Sequence, residues 1–107
     1  MTLVVDGNDR GSVVDARLDE TIVVRVPESG ASGGYRWHVD HVDDVVVETG
    51  SDYEPPPKGA PIGAAGQRMF AFKAANRGTG KIGLSSFRDW EGPAKSVDRF
   101  EVAVHVG

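Results

Sequence analysis

Phe100, Val102, Val104 and Val106 alternate with Arg99, Glu101 and His105 near the C-terminus. A period of two puts one set on each side of an extended chain, and a helix cannot segregate it. The same period returns in Thr21 to Val26, where Ile22, Val24 and Val26 face one way and Val23 and Arg25 the other. It returns again in Gln67 to Ala74, where Arg68, Phe70, Phe72 and Ala74 alternate with Met69, Ala71 and Lys73. Tyr35, Trp37 and Val39 share one face of a further strand, opposite Arg36, His38 and Asp40, and Ile82 and Leu84 point inward within Lys81 to Phe87. Shorter strands are predicted over Thr2–Asp6, Ser12–Arg17 (at a sheet edge) and Asp44–Thr49. No stretch longer than a turn carries helical amphipathicity. Many short strands with regular turn signals predict an all-β sandwich or barrel.

Turn and loop signals divide the strands. Gly7 to Gly11 and Asn76 to Gly80 read as turns, and Pro27 is expected to end its strand. Asp52 to Pro61 holds four prolines, three of them consecutive, so it is predicted to lie outside any central strand, in polyproline geometry. With 107 residues the chain suits one domain, able to bury a core without metal or disulfide staples. The net charge of −4 is mixed along the sequence with no basic stripe, which argues against nucleic-acid binding. No apolar run approaches the length of a membrane span. Cysteine is absent, which excludes thiol catalysis by this chain. The N-terminus shows no basic start followed by an apolar stretch, so no signal peptide is read there and the compartment stays open. A monomer without metal or cofactor is expected.

Three glycine-bearing loops remain to be explained. The first ends in Gly33-Gly34 and leads into Tyr35-Arg36-Trp37; the second is Gly63-Ala64-Ala65-Gly66; the third is Arg88-Asp89-Trp90-Glu91-Gly92-Pro93. In a Greek-key sandwich alternate connections gather at one end, so the three can share a location. Taken singly, each also reads as a simple turn.

Taken together, Gly-Tyr-x-Trp opening a strand, Gly-x-x-Gly before an aromatic strand and Arg-x-Trp-x-Gly-Pro before the last strand resemble the chagasin family, from about Thr21 to the C-terminus. The third segment, continued by Asp98-Arg99-Phe100-Glu101-Val102, is the most specific. The resemblance implies an immunoglobulin-like sandwich with Greek-key connections, and a reversible inhibitor of papain-family cysteine peptidases that is not itself an enzyme. It implies that Gly30, Ala31, Ser32, Gly33 and Gly34 form a wedge entering the catalytic centre. Gly63, Ala64, Ala65 and Gly66 would lie along one side of the cleft, and Arg88, Asp89 and Trp90 along the other. The first loop keeps only the last glycine of the family's Asn-Pro-Thr-Thr-Gly, with Ala31 in place of proline and Gly33 in place of a threonine; Asp89 replaces a proline or small residue. These departures keep a second function in view: an immunoglobulin-like binding module whose loops recognise another partner.

Other residues carry less. Trp37 shares a face with Tyr35 and Val39 and reads as core, whereas Trp90 sits in a polar loop and reads as interface. His38, His41, Asp43 and Asp44 read as a solvated segment and not as a metal site, because strand residues three apart point to opposite faces. Serine, histidine and aspartate occur without a nucleophile elbow, and the glycine loops lack the Lys-Ser/Thr of a phosphate loop.

Overall fold

A computed structural model gives the architecture and describes residues 2–28 and 34–107. Eight strands are formed: β1 (Thr2–Val5), β2 (Val13–Ala16), β3 (Thr21–Glu28), β4 (Tyr35–Val42), β5 (Val46–Glu54), β6 (Gly66–Ala74), β7 (Gly78–Arg88) and β8 (Asp98–Val106). The only helical elements among the described residues are 3₁₀ turns at Gly7–Asp9 and Pro93–Lys95. The strands make two four-stranded sheets, ordered β1-β3-β6-β5 and β2-β8-β7-β4. The expected β-sandwich is therefore present.

The core is the set of residues that the alternation singles out. Ile22, Val24 and Val26 of β3 and Phe70, Phe72 and Ala74 of β6 are buried against Ile82 and Leu84 of β7 and Phe100, Val102, Val104 and Val106 of β8. Each large side chain of this set contributes about 1.5–3 kcal/mol by leaving water. The central pairs are antiparallel, with β3 against β6 and β7 against β8. The short edge strands β1 and β2 pair in parallel with β3 and β8. β2 is at an edge, as expected from sequence.

Several boundaries differ from the sequence reading. β7 starts at Gly78, inside the segment read as a turn, because Gly78, Thr79 and Gly80 find partners in Val106, His105 and Val104 of β8. Pro27 does not end β3, which runs on to Glu28. Its carbonyl accepts from Trp37 Nε1 at 2.9 Å, off the β3–β6 ladder, so its missing N–H costs no ladder bond there. β5 starts later and runs further than expected, through Asp52, Tyr53 and Glu54, whose register partners are Met69, Arg68 and Gln67. It is an edge strand with an irregularity between Glu48 and Gly50, and it stops where Pro55 begins. Gly66 is the buried first residue of β6 and not the end of an open loop.

Candidate functional site

Strand register fixes where the three loops start and end. Glu28, the last residue of β3, pairs with Gly66, the first of β6. Tyr35, the first residue of β4, pairs with Arg88, the last of β7. The first loop leaves at Glu28 and returns at Tyr35, so the second loop borders its outgoing stem and the third its returning stem. The three stems thus meet at one end of the sandwich. Gly30, Ala31, Ser32 and Gly33 lie outside the described residues; Gly34 is exposed.

The stems are tied by a network centred on Glu28, whose side chain is 4% exposed. Its Oε1 accepts from the Trp37 backbone N–H at 2.7 Å, crossing from one sheet to the other. Its Oε2 accepts from Arg68 Nε at 3.0 Å and Nη2 at 2.6 Å. The Arg68 guanidinium stacks 5.1 Å from the Tyr53 ring centroid, and the Tyr53 hydroxyl donates to the Glu28 carbonyl at 3.3 Å. A buried carboxylate is tolerated because a cation and a backbone amide satisfy both its oxygens. Gly66 lies beneath Tyr53, where a Cβ would collide with the Tyr53 hydroxyl and the Glu54 carbonyl. Only glycine fits that approach of β6 to β5.

The third loop is organised differently. Trp90 is 73% exposed, and Trp37 is buried, as each was read from sequence. The Arg88 guanidinium lies 4.6 Å from the Tyr35 ring centroid and 5.8 Å from that of Trp90, and Nη1 reaches Glu91 Oε1 at 3.5 Å. Gly34 has φ +82°, and a Cβ there would stand 2.6 Å from the Trp90 ring. Glycine at this position therefore serves the backbone and makes room for the indole. Asp89 Oδ1 is 2.8 Å from His38 Nε2. In the second loop Gly63 and Ala65 are exposed, as is Ile62 beside them.

The two histidines do not separate as the alternation implies: a bulge between Val39 and His41 gives His41 the register partner Gly83, two residues from His38's partner Ser85, so both lie on one face. Nor is His38 simply solvated: its ring stacks on Phe87 with centroids 4.0 Å apart. His41 instead pairs with Asp43 at 2.7 Å, beyond the other end of β4. The Asp43 carboxyl is held below the usual carboxylate range, first by the Lys81 backbone N–H and then by His41, which ties that turn to β7. Sequence reasoning passed over Glu28 and Arg68. A signal was available. Counting in twos from Ile22 past Pro27 puts Glu28 on the buried face, and Arg68 is in phase with Phe70 and Phe72.

Comparisons with known proteins bear on the family and the fold. The model of the chagasin family of peptidase inhibitors matches residues 15–104. The chain therefore belongs to the chagasin family of peptidase inhibitors. Among solved structures, it is similar to the cysteine protease inhibitor EhICP2 from Entamoeba histolytica, with a TM-score of 0.84 and 17% identity over 99% of this chain and 96% of that one. It is similar to Amebosin, with a TM-score of 0.77 and 20% identity over 100% and 99% of the two chains. It also resembles PbICP-C, solved in complex with falcipain-2, with a TM-score of 0.61 and 14% identity over 100% and 90%. At these identities the likeness is one of fold. No curated protein matches the sequence significantly.

Proposed function

We propose that this chain is a reversible inhibitor of papain-family cysteine peptidases that occludes the active-site cleft with three loops from one end of the sandwich. The observation that carries the reading is the pairing of Glu28 with Gly66 and of Tyr35 with Arg88, which lines up the three loop stems. Family membership, the description of EhICP2 as a cysteine protease inhibitor and the complex of PbICP-C with falcipain-2 support it. The first loop, including Gly30 to Gly34, acts as the wedge. A loop that fills the centre without holding a peptide bond in attack geometry blocks the nucleophile and is not cut. Gly63, Ala64 and Ala65 lie along one side of the cleft, and Gly66 seats that loop from below. Arg88 and Trp90 grip the other side, with aromatic and arginine anchors supplying most of the interface energy.

Titration of papain with the chain tests the proposal. Stoichiometric, competitive inhibition is expected. No inhibition at high micromolar concentration across several papain-like enzymes would favour the other reading, a binding module whose altered first loop serves a different partner.

A further inference from the structure

Asp89 occupies the loop position where the family resemblance leads one to expect a proline or a small residue, and its carboxylate turns back onto the sandwich at His38. His38 lies on the outer face of its sheet. Its ring is stacked on Phe87 at an interplanar angle of 13°, which leaves the Nε2 edge facing loop three. The side chain as a whole is 33% exposed, yet Nδ1 is buried without a hydrogen-bond partner. The register partner of His38 is Ser85, fully buried on that outer face, and its hydroxyl also has no partner. A ring clamped by Phe87 and backed by Ser85 makes a fixed post. Asp89 is hydrogen-bonded to that post, and the next residue is Trp90.

We infer that His38 is a positioning residue for the third loop: through Asp89 it sets where Trp90 stands. This rests on the inhibitor reading only where peptidase binding is the readout. A neutral imidazole donates from one nitrogen only. Facing a carboxylate, Nε2 carries the hydrogen and Nδ1 is bare. Histidine is the side chain whose charge ordinarily changes between pH 5 and 8, so its ring protons report on whatever is tied to it.

The test compares the wild-type chain with Asp89→Asn and His38→Phe. The first keeps an acceptor and removes the charge; the second keeps the stack on Phe87 and removes both nitrogens. Dissociation constants for papain are measured for each single variant and for the two combined. Partly exposed pairs are weak, so His38→Phe should weaken binding about two- to fivefold, and adding Asp89→Asn should weaken it no further. Independent, additive losses overturn the inference. A second arm needs no peptidase. In NMR titration of the free wild-type chain, the Trp90 indole N–H signal should move with the same midpoint as the His38 ring protons, and should be flat over that range in His38→Phe. Uncoupled signals overturn the inference even if papain is inhibited. If papain is not bound, the inhibitor reading fails and this arm alone decides the role of His38.

Discussion

An indole left 73% exposed, on a domain that buries its other tryptophan, gains most when a partner covers it. Arg88 and Gly34 limit where that ring can go, so little ordering remains for binding to supply. Trp90→Ala should weaken papain binding by about 2 kcal/mol, more than any single change in Gly63 to Ala65, because glycine and alanine loops contribute mainly backbone contacts. The melting temperature should stay within a degree or two of wild type. A large fall in stability without a specific loss of binding would mean that the indole supports the fold through Gly34. Glu28 is the opposite case, a charge with almost no contact with water. Glu28→Ala leaves Arg68 without its carboxylate and the Trp37 amide without its acceptor, and should cost about 3–5 kcal/mol in denaturant unfolding. A cost below ~1 kcal/mol would show that water replaces the carboxylate easily. Trp90 was legible from sequence because an indole among Arg, Asp, Glu and Gly has no apolar set to join. Glu28 was not, because Pro27 reads as a stop. That the proline directs its carbonyl to Trp37 instead of the ladder is a fact of the other sheet, with no local sequence signature.

At the scale of elements, strands with a strict period of two were readable and strands held by their neighbours were not. The segment from Gly50 to Glu54 has poor intrinsic β preference, with glycine, serine and aspartate in succession. It extends because Met69, Arg68 and Gln67 offer a ladder and because Tyr53 stacks on Arg68. The end of the second loop was misplaced for a related reason: Gly66 reads as loop and is the contact that lets β6 start beneath Tyr53. Gly66→Ala should therefore destabilise the domain by about 1–3 kcal/mol, the usual cost of forcing atoms into a packed site. Gly50→Ala makes a control on the adjoining strand. A Cβ there meets nothing within 4 Å, so its melting temperature should be unchanged or slightly raised. Equal destabilisation by both would indicate that β-strand entropy, and not the collision with Tyr53 and Glu54, sets the need for glycine at position 66.

At the scale of the molecule, the arrangement of the loops follows from the sheets that carry them. The outgoing stem of the first loop belongs to one sheet and the returning stem to the other, and the Glu28–Trp37 bond closes the gap between them. That end of the sandwich is therefore shaped by both sheets. Binding of this kind needs no covalent step, and a chain without cysteine cannot form a mixed disulfide with a peptidase thiol. Papain incubated with excess chain should regain full activity on dilution, and the chain should keep its intact mass. Reducing agent should alter neither the inhibition nor the melting temperature, and heating followed by cooling should restore both. Trypsin-like and subtilisin-like serine peptidases should not be inhibited. The decisive species is a product cut between Glu28 and Tyr35. If it accumulates at the rate of turnover, the first loop lies in the cleft as a substrate, and occlusion by a wedge out of attack geometry is the wrong account of how this end of the sandwich works.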